Sequence, residues 1–199
     1  MMKKGEWLLI LFNLAYIIPF TAYYIYIKNF EFLIYIAVLL ALFGLVAATL
    51  RKTKFSYAIL WGLSIWGLLH MMGGGVRVGG SVLYAFRLIP IVDTPDYFIL
   101  KYDQLVHGYL YFVMTFVIYH LIKPHINKKT LGFILYVFIV AASVGIGAGN
   151  EIVEFMAVLF IKNTGVGGHY NTAWDLVFNT LGAILAAVII GIRRKKGIY

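Results

Sequence analysis

The sequence predicts an all-α fold, a polytopic membrane bundle of about six transmembrane helices with both termini cytoplasmic. Three observations predict it. The 199 residues are 62% hydrophobic and only 13% charged. Apolar runs repeatedly reach the roughly 20 residues that a helix needs to cross a hydrocarbon core about 30 Å thick. The basic residues gather in the short segments between those runs. A water-soluble domain of this length has no interior large enough for so much apolar surface, so residues 1–199 are expected to form a single integral membrane domain.

The formal charge of +9 lies beside apolar spans rather than on a polar surface. Membrane lipids, and not nucleic acid, are therefore the expected partners; the oligomeric state stays open. The chain contains no cysteine, which excludes a disulfide framework, a thiolate metal site and a cysteine nucleophile. Met1-Met2-Lys3-Lys4 imitates the start of a signal peptide, but no small-residue cleavage site follows and the apolar run stays long and aromatic. It is read as the first span.

Residues 7–27 form the first apolar run, with Pro19 inside it, a residue that membrane helices tolerate. Residues 32–50 form the second helix, stopped by Arg51-Lys52-Thr53-Lys54. The third covers 55–72 and carries Trp61, Trp66 and, near its far end, His70. From Gly73-Gly74-Gly75 to Tyr102 the pattern changes to a long extramembrane loop. Its middle, 81–89, is too short to span and is expected to lie along the interface as an amphipathic helix. The fourth helix covers 103–122 and ends at Lys123-Pro124. The fifth, 130–161, would extend roughly 48 Å if straight, too long for one span, so a kink or break is expected at Gly145, Gly147 and Gly149. A Gly-rich loop over 162–170 leads to the sixth helix, 171–192, closed by Arg193-Arg194-Lys195-Lys196.

Orientation follows from the basic residues. Lys3, Lys4, Arg51, Lys52, Lys54, Lys123, Lys128, Lys129 and the four of the carboxyl tail fall on one side of six alternating spans. Lys28, Arg77, Arg87, Lys101 and Lys162 fall on the other. The positive-inside tendency makes the first side cytoplasmic and the long loop outward.

With that topology, Asp93, Asp96, Asp103, Glu151, Glu154 and Asp175 fall in or near the outward half, together with His70, His107 and His169. Glu6 and Glu31 lie at helix ends, and His120 and His125 on the cytoplasmic side, where headgroup contact accounts for them. Asp103 and His107 stand at i and i+4, Glu151 and Glu154 at i and i+3, Asp175 and Asn179 at i and i+4, so each pair shares a helix face. Carboxylates inside a span are costly and point to a functional site by default.

If the three faces converge, they build an outward-opening polar pocket. Asp103, His107, Glu151, Glu154 and Asp175 are candidate ligands for a divalent metal (Zn, Mn or Fe). Glu151, Glu154, Asp175 and Asn179 are candidate catalytic acid, base or orienting groups, and Arg77 and Arg87 are candidates for holding the phosphate of a lipid or lipid-linked substrate. Each assignment has a plainer alternative. Asp103 and Asp175 also suit solvated or dipole-stabilised helix starts, the glutamates suit interhelical hydrogen bonding, and the arginines suit ordinary headgroup contact. Gly145, Gly147 and Gly149 suit close helix packing as well as a break beside the pocket. No His-x-x-Glu-His motif is present, and the Gly-rich segment around Arg77 lacks the Gly-Lys-Ser/Thr ending of a P-loop.

Three segments carry a family resemblance: Tyr102-Asp103-Gln104-Leu105-Val106-His107-Gly108, Asn150-Glu151-Ile152-Val153-Glu154-Phe155, and Trp174-Asp175-Leu176-Val177-Phe178-Asn179-Thr180-Leu181-Gly182. Together with His70 ahead of Gly73-Gly74, they resemble the YjdF-like inner-membrane proteins and, more distantly, the VanZ-like proteins, whose pattern usually has Gln where this chain has Glu154. The resemblance implies a cell-membrane location and, on the VanZ-like side, a link to glycopeptide-antibiotic tolerance. The leading functional expectation is a membrane-embedded enzyme, metal-dependent, acting on a lipid or lipid-linked cell-envelope substrate. The alternatives are a proton- or cation-coupled transporter or lipid-binding protein, and a bundle whose polar pairs only hold helices together.

Overall fold

A computed structural model of the chain describes residues 3–94, 98–126, 132–160 and 168–197. Six helices dominate: α1 (Lys4–Tyr26), α2 (Phe30–Thr53), α3 (Tyr57–Gly75), α4 (Tyr102–Ile122), α5 (Gly132–Phe160) and α6 (His169–Lys195). All six are long and apolar enough to cross a membrane. Asp96, Lys128, Lys129 and Lys162, the expected ends of the fifth helix at 130 and 161, and the loop residues 162–167 lie outside the described residues.

The helix ends have local causes. The Glu6 carboxylate accepts the Lys3 N–H at 2.8 Å, which starts α1 ahead of its apolar run. The Asn29 side chain accepts the Phe32 N–H at 3.1 Å, and Ser56 does the same for Ile59 at 3.4 Å, as N-cap residues do. The glycines expected to open the loop instead form the last turn of α3. They are there for clearance, since a Cβ at Gly73 would collide with the Tyr84 ring and one at Gly74 with the Phe32 ring.

The segment between α3 and α4 corrects the expectation of an amphipathic helix over 81–89. It consists of two antiparallel hairpins, β1 (Arg77–Val78) with β2 (Ser81–Val82), and β3 (Arg87–Asp93) with β4 (Phe98–Lys101). A single 3-10 turn, Leu83–Ala85, separates them. Gly79 and Gly80, at φ of 58° and 87°, supply the left-handed pair that a tight two-residue hairpin needs. Pro90 and the β-branched Ile89, Ile91 and Val92 favour extended backbone over helix.

The expected break in the fifth helix is also corrected, because α5 runs through Gly145, Gly147 and Gly149 as one uninterrupted helix. Only Gly147 is in a tight place, where a Cβ would come within 2.9 Å of the Asn179 amide nitrogen; Gly145 and Gly149 face open space. Close packing explains Gly147, and the surplus length of α5 is carried without a break.

Two apolar clusters organise the bundle. Tyr16, Ile17, Tyr24, Phe32, Ile36, Leu39 and Met71 join α1, α2 and α3. Tyr119, Leu135, Ile139, Ala187 and Ile190 join the far halves of α4, α5 and α6. Polar ties lock the helices in register: Asn13 to Ser64 at 2.9 Å, partly buried, between α1 and α3, and Thr115 to Ser143 at 3.0 Å, buried, between α4 and α5. The most extensive helix contact is α4 on α6. There the backbones meet at Gly108 and Gly182, and a Cβ on Gly182 would collide with the Gly108 carbonyl oxygen. Small residues of this kind let membrane helices approach closely.

Candidate functional site

The Gly108–Gly182 contact sets the register that builds the site. His107 stands next to Gly108 on α4, and Asn179 one turn before Gly182 on α6; a turn further out stand Asp103 and Asp175. His107 Nδ1 lies 3.2 Å from Asn179 Oδ1. From α5, Glu151 Oε1 approaches His107 Nδ1 to 3.3 Å. The other imidazole nitrogen, Nε2, stands 3.6 Å from Asp103 Oδ1 and 3.9 Å from Glu154 Oε1. Three carboxylates thus stand within 4 Å of one imidazole, and an Asp175 oxygen lies within 4.8 Å of it.

The amino end of α4 is held firmly enough to keep Asp103 and His107 in place. The Gln104 side chain accepts the Lys101 N–H at 3.0 Å and donates to the Phe98 carbonyl at 3.2 Å, tying the helix start to β4. Tyr102 donates to the Leu69 carbonyl of α3 at 3.0 Å.

Burial is deep. His107 is 8% exposed, Glu151 5%, Asp175 1% and Asn179 not at all, whereas Asp103 and Glu154 are partly exposed. Both Glu151 carboxylate oxygens, Asp175 Oδ1 and Asn179 Nδ2 are buried without a hydrogen-bond partner. Buried polar atoms are almost always paired, so four orphans in one cluster mark a place built to receive something. The ligating atoms of Asp103, His107 and Asp175 lie within 4.8 Å of one another, and so do those of His107, Glu151 and Glu154.

All five expected metal-ligand candidates, and all four catalytic candidates, therefore come together. The two arginines do not join them. Arg87 Nη1 pairs with Asp93 Oδ1 at 3.1 Å on the exposed face of β3 and lies 4.8 Å over the Phe98 ring. Arg77 lines a separate cleft of about 340 Å³ with Pro19, Phe20, Tyr23 and Gly75. His169 sits exposed at the start of α6 beside Tyr170. His120, expected at headgroups, instead places Nε2 2.7 Å from the Thr53 carbonyl oxygen at the end of α2.

Several residues join the site that the sequence reading passed over. Asn171 donates to Asp103 Oδ2 at 2.9 Å and to Asp175 Oδ2 at 2.6 Å, and its own carbonyl accepts from Lys101 Nζ at 3.3 Å. Asn150 donates to Glu154 Oε1 at 2.8 Å. A signal for both exists in the sequence, because each asparagine stands four residues before the acid it holds, the spacing of facing side chains on a helix.

His70 belongs to an aromatic box rather than to a loop edge. Its ring stacks on Trp66 at 5.5 Å, meets Tyr35 at 5.4 Å, and is hydrogen-bonded through Nδ1 to the Tyr84 hydroxyl. Tyr84 comes from the 3-10 turn between the hairpins. Burial pushes its hydroxyl well above the ordinary tyrosine pKa, and the Asp103 and Glu154 carboxylates push it in the same direction. The box is therefore electrostatically in touch with the carboxylate cluster.

Six candidate spans around a buried, acid-lined polar cluster define the chain as a multi-pass integral membrane protein. It belongs to the family described as predicted membrane protein (DUF2238), whose model matches residues 8–196, and this is the YjdF-like family that the three motifs resemble. No curated protein and no solved structure matches the chain.

Proposed function

We propose that the protein is a membrane-embedded, metal-dependent enzyme acting on a lipid or lipid-linked cell-envelope substrate from the outer face of the membrane. The observation that carries this reading is the imidazole of His107 among Asp103, Glu151, Glu154 and Asp175, with buried oxygens left unpaired. In the tautomer that donates from His107 Nδ1 to Asn179 Oδ1, 3.2 Å away, Nε2 presents its lone pair, the usual arrangement of a ligating histidine. Asp103 Oδ1 and Glu154 Oε1 stand 3.6 and 3.9 Å from that nitrogen. Ligands bound at roughly 2.0–2.2 Å to a tetrahedral ion stand about 3.4 Å apart, and the ligating atoms of Asp103, His107 and Asp175, like those of His107, Glu151 and Glu154, lie within 4.8 Å of one another, so a modest closure brings either set onto an ion.

A divalent ion bound there would acidify a water and polarise a phosphoryl oxygen. The chain's own residues do the rest. Asn179 orients the imidazole, Asn150 and Asn171 aim the carboxylates, and Glu151, whose buried oxygens make no hydrogen bond and whose Oε1 lies 3.3 Å from His107 Nδ1, is the group to accept a proton. Arg77, exposed above its aromatic cleft, suits the phosphate of a lipid headgroup. The outer-face assignment rests on the distribution of basic residues, and the cell-envelope substrate on the motif resemblance to VanZ-like proteins.

Proton- or cation-coupled transport is the second reading of the same carboxylates. It needs a polar path to the other side, and the far halves of α4, α5 and α6 are closed by the cluster of Tyr119, Leu135, Ile139, Ala187 and Ile190. That favours chemistry at one face over passage.

The test is metal analysis of protein purified in detergent, with incubation against phosphatidylethanolamine and phosphatidylglycerol vesicles followed by lipid mass spectrometry. Bound metal is expected in the wild type. His107→Ala should weaken it by at least about tenfold and abolish any lipid product. Equal, near-zero metal in both proteins refutes the reading.

A further inference from the structure

The cluster contains more carboxylate than one ion satisfies. An ion held by His107 with Asp103 and Asp175 leaves Glu151 with two buried oxygens that make no hydrogen bond, and an ion held by His107 with Glu151 and Glu154 leaves Asp175 with one. Among the described residues no lysine or arginine forms an ion pair with any of the four acids. Lys101 Nζ is hydrogen-bonded to the Asn171 carbonyl oxygen. Four carboxylates around one divalent ion carry a net −2 into a site where unpaired charge is strongly disfavoured.

The donors also divide in two. Asp103 and Asp175 gather with His107 in one group, and Glu151 and Glu154 gather with it in another. The groups share only the imidazole and use different carboxylate pairs from different helices, α4 with α6 in the first and α5 alone in the second.

We propose that the site is dinuclear, binding two divalent cations of the oxygen- and nitrogen-preferring class, such as Mn or Fe, with one carboxylate pair serving each ion. Two dications bring four carboxylates to neutrality. They also give the orphaned oxygens of both Glu151 and Asp175 a partner, which one ion in either group does not. Oxygen-rich donor sets with a single imidazole suit Mn and Fe better than the sulfur-rich sets that select Zn or Cu. Helical bundles can build paired-metal sites from carboxylates and histidines that project inward from facing helices, and paired ions about 3.5–4 Å apart clamp both oxygens of a phosphoryl displacement.

This inference rests on the metal-dependent reading above, and the experiment separates the two. Metal-stripped full-length protein in detergent, its affinity tag removed, is titrated with Mn2+ alone, with stoichiometry measured by elemental analysis and ion coupling by electron paramagnetic resonance. Two Mn2+ per chain with an exchange-coupled signal is the expected result. Asp175→Asn and Glu151→Gln should each lower the stoichiometry to one and remove the coupling. One uncoupled Mn2+ per wild-type chain overturns the dinuclear site and leaves the mononuclear enzyme standing; no bound Mn2+ overturns both. Because wild-type stoichiometry alone decides, a variant that fails to fold does not blunt the test.

Discussion

Asn171 is the residue on which the outer edge of the site turns, since one amide group serves Asp103 on α4 and Asp175 on its own helix. Removing it strips two charge-assisted bonds, each worth about 1.5–3 kcal/mol to the charged partner. Asn171→Ala is expected to weaken metal binding by about 10–100-fold, as loss of a group that orients a ligand does. Isothermal titration with Mn2+ measures it. Asn150→Ala removes the 2.8 Å bond to Glu154, at the more exposed edge of the site, and should cost less. At this scale the sequence spoke partly. The acids and His107 stood out because charge in an apolar run is costly, whereas an asparagine is cheap enough in a helix to pass unnoticed until its Asn-x-x-x-acid spacing is tested.

At the scale of the element, the α4–α6 contact governs whether the site exists. Gly182 admits no side chain because the Gly108 carbonyl occupies the place of its Cβ, so Gly182→Val must drive the helices apart. Overpacking of this kind costs about 1–3 kcal/mol or more, and here it also separates His107 from Asn179. Loss of thermal stability together with loss of metal binding is the expected outcome, read by a melting curve with and without Mn2+. Gly145 faces open space within α5, and Gly145→Ala should leave binding unchanged while raising stability by up to about 1 kcal/mol, the helix-propensity difference. The glycine spacing in the sequence admitted packing or a break for α5. The structure assigns packing to Gly147 and no contact to its two neighbours, a distinction that depends on which face meets Asn179.

At the scale of the whole molecule, the charge distribution predicts which end of the bundle carries the site. The chain has no native cysteine, so single substitutions report topology without background. Ser81→Cys, in the hairpin segment beside the cluster, is expected to react with a membrane-impermeant maleimide in intact cells. Lys52→Cys, at the opposite end of the bundle, should react only after permeabilisation. The reverse pattern would put the site in the cytoplasm and redirect the substrate search to the inner leaflet. The number and order of the spans were readable because a bilayer demands about 20 apolar residues per crossing. The hairpins between α3 and α4 were not, because short extended segments outside the bilayer carry no comparable length rule.

The sequence by itself determined six apolar helices and the identity of the acids and the histidine among them, since bilayer thickness and the cost of buried charge both act on the local chain. Tertiary structure decided what those residues do to one another. Only the backbone contact of Gly108 with Gly182, a long-range steric fit, brings Asp103, His107, Asp175 and Asn179 into one register beside Glu151 and Glu154. It is that register, rather than any single motif, that leaves unpaired oxygens facing one imidazole.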